Sequence, residues 1–326
     1  MEFLYEMLKE QYGKELTETI IQGLFTKRKT TIRVNTIKSN MEKVKNELEK
    51  ANIKYKSVDW SNYALIIENV NNIANADKYE SMSIFNKNSN KNINLIETVL
   101  QNMDIYKSGE IYLQSLSSML PPIILEPKES TDILDMTAAP GGKTTEIAAL
   151  TNNKSHITAC EKNKIRADRL KYNVQKQGAT CVFVMQKDAR FIDDFFSFDQ
   201  ILLDAPCSGS GTLDLNNSDI EKYFSRELIE RSAKTQKLLL QKAIKLLKPG
   251  HTMVYSTCSI LKKENEEALE SCLNNPKFNG KIEIEPINFN EIDELPLLPT
   301  SIKGTLCVCP TDLYEGFFVA KIKKNK

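Results

Sequence analysis

TDILDMTAAPGGKTTEIAALTNN, residues 131–153, joins a short apolar strand to a helix through a turn that holds Pro140, Gly141 and Gly142. In an open α/β sheet, ligands sit beyond the carboxyl ends of the strands. Glycines let the backbone approach a ligand closely, and the helix that follows offers amide groups with no partner of their own. The spacing is neither G-x-G-x-x-G nor G-x-x-x-x-G-K-[ST]. GGKTT alone therefore does not make a dinucleotide site or a nucleoside-triphosphatase.

The same alternation continues outward. HITACE (156–161) reads as a strand, and KIRADRLKYNVQKQG (164–178) as a helix ended by Gly178. CVFVMQ (181–186) and FDQILLDAP (198–206) are strands. SRELIERSAKTQKLLLQKAIKLL (225–247) is a long helix stopped by Pro249-Gly250, and TMVYSTCS (252–259) is a further strand. The tail adds GTLCVCP (304–310) and GFFVAKIKK (316–324), read as a hairpin at the sheet edge. Strands alternating with helices predict a doubly wound, mostly parallel sheet.

Before this sheet lies a smaller α+β unit. FLYEMLKEQY and ELTETIIQGLF carry helical spacing. TIRVNTI (31–37) reads as a strand, MEKVKNELEKAN (41–52) as an amphipathic helix, and IKYKSVDW and YALIIENV as strands. The polar stretch Asn86 to Asn94 is read as a loop. The expected division is an N-terminal unit over 1–100 and a catalytic unit over 101–326.

Composition excludes several classes. The hydrophobic share is 41% and the charged share 27%, ordinary for a globular chain of 326 residues. No apolar run spans a bilayer, and MEFLYEMLKEQYGKE lacks the layout of a signal peptide, so the cytoplasm is the expected compartment. Seven scattered cysteines, an odd number, point to reduced thiols rather than a disulfide framework. A net charge of +1 argues neither for nor against nucleic acid. The basic cluster Lys27-Arg28-Lys29 with Arg33, and the tail Lys321 to Lys324, are the candidate phosphate contacts.

Glu161 closes HITACE and Asp188 follows CVFVMQK. An acid at the end of the second strand is placed to accept hydrogen bonds from ribose hydroxyls, although Glu161 also suits the start of the next helix. Cys207 sits in the turn Asp204-Ala205-Pro206-Cys207-Ser208-Gly209-Ser210-Gly211, and Cys258 ends the strand at YSTCS. Lone cysteines are usually small buried hydrophobes, a reading that suits Cys160, Cys181 and Cys272 better than these two. Cys307 and Cys309 share a strand face but lack the other ligands a metal would need.

DMTAAPGGKTT, DAPCSGSG and YSTCS together resemble three motifs of the RNA 5-methylcytosine methyltransferases of the Nop/Sun type. KSGEIYLQSLSSMLPP (107–122) resembles the family's lead into its first strand, YEGFFVAKI its closing strand, and TIRVNTI a segment of its RNA-binding domain. The resemblance covers residues 31–326 and implies a sheet of the S-adenosylmethionine-dependent methyltransferase type. It implies S-adenosylmethionine held by Thr137, Ala138, Ala139, Pro140, Gly141, Gly142, Lys143, Glu161, Arg166, Asp188 and Asp204. Thr137 stands where many relatives carry Cys or another small residue.

The chemistry explains the need for two thiols. Cytosine carbon 5 is a poor nucleophile until a thiolate adds to carbon 6, and the adduct must later be eliminated. The resemblance gives the attack to Cys258 and product release to Cys207. It places Asp204 at the polar edge of the base and Lys143 near the thiols, where a cation raises the thiolate fraction. DNA cytosine methylases use the Pro-Cys thiol instead, so chemistry alone leaves the order of the two open. The expected partner is rRNA or tRNA, and the expected state is a monomer without metal. A catalytically silent RNA-binding or assembly factor on the same fold is the competing reading, which the intact thiol pair disfavours.

Overall fold

The computed structural model describes residues 2–70, 95–288 and 294–326. The loop expected at 86–94 lies outside the described residues. Helix α1 (Glu2–Phe25) runs through a non-helical Gly13, which separates the two helical segments seen in the sequence. Its Leu4, Leu8, Ile20 and Leu24 join the core under the large sheet, so the first helix packs there rather than on the small one.

The small sheet has the order β2-β3-β1-β4 and is antiparallel where its register is recorded. Its strands are β1 (Thr31–Val34), β2 (Ile53–Val58), β3 (Ser61–Val70) and β4 (Ile111–Leu113). Helix α2 (Met41–Lys50) starts at Asn40, whose side chain accepts the Lys43 N–H, and buries Val44 and Leu48 against the sheet. Helices α3 (Leu95–Asn102) and α4 (Asp104–Lys107) add Val99, Leu100 and Ile105 to the same cluster, which therefore reaches past residue 100 to Ile111.

Helix α5 (Leu116–Leu125) leads into the large sheet. There β5 (Asp132–Asp135), α6 (Gly142–Leu150), β6 (His156–Cys160), α7 (Lys164–Gln177), β7 (Val182–Met185) and β8 (Phe198–Asp204) follow in turn. Helices α8 (Ile220–Tyr223) and α9 (Arg226–Leu246) precede β9 (Leu247–Thr257). After α10 (Glu266–Leu273) come β10 (Ile282–Glu285), β11 (Leu297–Leu298), β12 (Leu306–Val308) and β13 (Phe317–Lys324). The order is β11-β12-β13-β9-β8-β5-β6-β7, with β10 also on β13. Strands β5 to β9 pair in parallel and β13 runs antiparallel to β9.

The chain leaves β5 toward β7 on one side and returns to β8 on the other. The topological switch thus falls between β5 and β8, where a ligand crevice opens at the carboxyl ends. No helix among the described residues is long and apolar enough to cross a membrane.

Two sequence expectations need correction. Pro249-Gly250 does not follow the long helix as a separate stop, because α9 ends at Leu246 and β9 begins at once. Phe198 pairs with Leu247 and Gln200 with Thr252, so β9 bulges between them. Proline has no N–H for the ladder, and Gly250 takes φ 81° in that bulge. The tail hairpin is not the sheet edge either. Strand β13 lies inside, covered by β12 and β10, and β11 forms the margin.

Candidate active site

The turn between β5 and α6 is held from behind. Ala138 N–H donates to Cys160 O (2.9 Å), Arg166 to Ala139 O (2.9 Å) and Asn173 to Pro140 O (2.7 Å). Gly141 has φ 110°, and a Cβ there would stand 2.9 Å from Leu170 Cδ1. The positive φ calls for glycine, and the Leu170 methyl would have to shift for any side chain there. Thr137 faces the crevice and donates its hydroxyl to Asp204 O (2.7 Å).

Glu161 ends β6 and is 4% exposed. One oxygen accepts the Asn163 N–H (2.8 Å), and Arg166 approaches the other at 3.4 Å. The side chain that caps α7 is Asn163, so Glu161 is not needed for that. Asp188 follows β7, and its ion pair with Arg190 at 2.6 Å holds its carboxyl below the usual range. Glu161 and Asp188 line one cavity with Met136, Leu239, Cys207 and Cys258. Arg166 touches that cavity too, but its bonds run to Glu161 and to the loop.

Cys207 and Cys258 face each other with their sulfurs 3.0 Å apart, and both are free thiols. Their turns are laced together. Ala205 N–H donates to Ser256 O (2.8 Å), Gly211 N–H to Cys258 O (3.0 Å), and the Ser210 and Ser259 hydroxyls meet at 2.8 Å. Behind them Glu264 accepts the Ser208 N–H (2.7 Å), the Ser208 hydroxyl (2.6 Å) and the Ser259 hydroxyl (2.6 Å). Burial raises the Glu264 carboxyl, and the serine bonds pull it part of the way back. The Cys207 thiol is pushed well up, first by its bond with Cys258 and then by burial.

On the other side of Cys258 lies a second cavity, which it shares with Asp204, Thr137 and Ala139. Lys143 projects into it from the start of α6. Its ammonium pairs with Asp204 at 2.8 Å, donates to Ser118 Oγ at 2.7 Å and stands 5.4 Å over the Phe317 ring. Burial pushes this ammonium down, but Asp204 outweighs burial and holds it above the ordinary lysine value. The second carboxylate oxygen of Asp204 accepts the Ser256 hydroxyl (2.8 Å). The crevice thus carries a fixed cation, a carboxylate and two thiols within one wall.

Several residues of this wall lie in the stretches that carry the resemblance but received no role from the sequence. Asp135 is buried and accepts the Thr144 hydroxyl (2.6 Å). Burial pushes its carboxyl up to about 6. Gln114 and Glu315 line the second cavity. Glu264 lies in the charged run KKENEE, to which the sequence alone gives no role.

Arg33 is a correction. It is 1% exposed and donates to Gln114 Oε1 (2.9 Å) and Thr145 Oγ1 (2.9 Å), so it cannot reach a phosphate. A strand residue between the small sheet and α6 has no solvent to face. Arg28 donates to Gly211 O (3.2 Å), and Lys29 pairs with Asp312 (3.1 Å), while Lys27 is exposed. In the tail, Lys321 pairs with Glu126 (2.6 Å) and Glu285 (3.0 Å), and Lys324 donates to Ile244 O (2.8 Å). Among the described residues no group of three or more His, Cys, Asp or Glu could hold a metal ion.

The strand order, the crevice at the switch point and the acid-bearing strand ends make this the fold of the S-adenosylmethionine-dependent methyltransferases. NSun6 from Pyrococcus horikoshii, solved with SFG, superposes with a TM-score of 0.80 at 28% identity, over 99% of this chain and 98% of that one. A tRNA (cytosine(49)-C(5))-methyltransferase of Pyrococcus abyssi is 32% identical over 98% of this chain and 96% of its own length. A ribosomal RNA small subunit methyltransferase F of Shewanella loihica is 38% identical over 66% of this chain, which spans only 45% of that relative. Residues 122–323 match the family described as 16S rRNA methyltransferase RsmB/F, and residues 2–74 match its ferredoxin-like domain. The chain belongs to that family, the RNA 5-methylcytosine methyltransferases of the Nop/Sun type.

Proposed function

We propose that this protein methylates carbon 5 of a cytosine in rRNA or tRNA through a covalent bond between Cys258 and the base. The observation that carries this reading is the thiol pair, 3.0 Å apart, of which Cys258 lines both cavities and Cys207 the first. One cavity is suited to the methyl donor and the other to the base.

The residues present fit S-adenosylmethionine. Glu161 is a buried carboxylate with one oxygen taken by a backbone N–H, which leaves acceptor capacity for ribose hydroxyls. Met136 and Leu239 offer apolar walls for an aromatic ring. When bound, this group supplies an electrophilic methyl on a sulfonium. Every other role falls to the chain. Lys143 offsets the negative charge of a thiolate at Cys258, and Asp204 accepts from the polar edge of the cytosine. Cys258 adds to carbon 6, which makes carbon 5 electron-rich enough to take the methyl group. The carbon-5 proton then passes to water, its bonding pair restores the double bond between carbons 5 and 6, and the carbon–sulfur bond breaks with its pair leaving on the Cys258 thiolate. Cys207, its thiol held in the protonated form, assists that release.

In this reading residues 1–100 recognise RNA and 101–326 carry out the transfer, in a cytoplasmic monomer. The test is transfer of tritiated methyl to RNA, followed by hydrolysis to nucleosides. Label in 5-methylcytidine is expected. Absence of transfer by a folded protein that still binds RNA would favour the silent binding factor, and label in DNA alone would overturn the RNA assignment.

A further inference from the structure

Both basic runs expected to meet RNA are largely engaged by the chain's own carbonyls and carboxylates. That leaves few free charges in these runs, Lys27 among them, and gives weight to any other basic surface. Helix α7 with the turn before it offers one. Lys162, Lys164, Arg169, Lys171 and Lys176 stand against one carboxylate on the helix, Asp168, which Lys171 approaches at 3.8 Å, while Arg166 is paired with Glu161.

Ile165, Arg169, Tyr172 and Lys176 follow one another at spacings of four, three and four. They form one stripe along the helix. Ile165 is 76% and Tyr172 62% exposed, and Arg169 is exposed beside them. Where the stripe meets the small unit, Lys38 Nζ donates to Lys176 O (2.7 Å) and Ser108 O (2.9 Å). Lys176 Nζ stands 3.5 Å over the Tyr106 ring. Burial and the neighbouring Lys38 hold the Lys176 ammonium below its ordinary value. Among the described residues, no ion pair joins Lys38, Arg169 or Lys176 to a carboxylate.

Crowded like charges without an acid are relieved by a bound anion. An exposed aromatic between cations offers a base a face on which to stack. The stripe also runs beside both cavities. Arg166 lines the first, and Asn173 Nδ2 lies 3.4 Å from the hydroxyl of Tyr112, which lines the second.

We propose that Arg169, Tyr172 and Lys176 of α7 form the track that holds the RNA strand flanking the target cytosine. Phosphates sit on Arg169 and Lys176, and an unpaired base stacks on Tyr172. The proposal rests on the RNA methyltransferase reading and adds the surface to it.

The experiment titrates the full chain with unmodified 16S rRNA and with a pool of unmodified tRNA transcripts across a salt series. Arg169→Gln and Lys176→Gln should each lower the log–log salt slope by about 0.7, the single-strand value per phosphate, and their combination by the sum. Tyr172→Ala should weaken binding roughly five- to hundredfold, the range for losing one base–aromatic stack. Lys164→Gln, on the other exposed side of the same helix, should leave the slope unchanged. Arg169→Lys should restore it, and S-adenosylmethionine affinity by calorimetry should hold through the series. If the wild type binds and methylates RNA but the α7 variants keep its slope, or Lys164→Gln lowers it equally, the track is wrong and the function stands. If the wild type neither binds nor methylates either RNA, both are overturned.

Discussion

Glu264 is the residue on which the thiol geometry rests, and its replacement by alanine reads out that dependence. The side chain accepts three bonds of 2.6 to 2.7 Å, two from Ser208 and one from Ser259. Ser259 keeps its contact with Ser210 when Glu264 is cut back. The Ser208 N–H and hydroxyl lose their carboxylate acceptor. A buried donor left unsatisfied costs about 1–3 kcal/mol. Ser208 is half-buried, so water recovers part of that, and the carboxylate's own desolvation cost disappears with it. The net loss should be about 2 kcal/mol, a drop of roughly 4–8 °C in melting temperature at the scale of a 150–250-residue domain. Because one of the ties between the Cys207 and Cys258 turns is then lost, and it is the one nearest Cys207, methyl transfer should fall further than stability does. Glu264→Gln keeps the shape and should recover most of the melting temperature. The assay is calorimetric melting beside single-turnover methyl transfer at a temperature where both variants are folded. An alanine variant with wild-type melting and wild-type turnover would refute the reasoning.

Other expectations follow from single residues. Glu161→Ala should weaken S-adenosylmethionine binding by about 1–3 kcal/mol, the cost of leaving buried hydroxyls unpaired; unchanged affinity by calorimetry would remove Glu161 from the ribose site. Burial pushes the Glu146 carboxyl up to about 7 from 4.5. Between those values the native state holds a proton that the unfolded chain has released, so this group makes stability fall as pH rises from about 4.5 to 7. At about 1.4 kcal/mol per unit that is of order 3 kcal/mol. Denaturant melts of Glu146→Gln at pH 5 and pH 8 should show a smaller pH difference than the wild type, and an equal difference would count against a native-state proton on Glu146.

The sheet was legible because its strands are continuous apolar runs, bounded by helices with strong end signals. Asn163 and Gly178 cap α7 where their side chain and backbone freedom require. The crevice was legible because Gly141, Glu161, Cys207 and Cys258 all follow strands that end on one edge. What escaped depends on contacts distant in sequence. Strand β11 has only two residues, too few for any periodicity, and β4 pairs with β1 across nearly eighty positions. Arg33 looked like a phosphate contact because charge alone does not reveal burial; its partners Gln114 and Thr145 lie far along the chain. Glu264 drew no reading for the same reason, since nothing local announces that two serines from separate turns point at it.

The covalent division of labour between the thiols is the central claim, and trapping the adduct tests it most directly. Each variant is incubated with RNA and S-adenosylmethionine labelled on its methyl group, then denatured and resolved by electrophoresis. Removing the step that breaks an intermediate makes the intermediate accumulate. Cys207→Ala should therefore give a denaturation-resistant protein–RNA band that carries methyl label, and Cys258→Ala should give none. A labelled adduct from Cys258→Ala and none from Cys207→Ala would swap the roles; activity in both variants without any adduct would contradict the covalent mechanism.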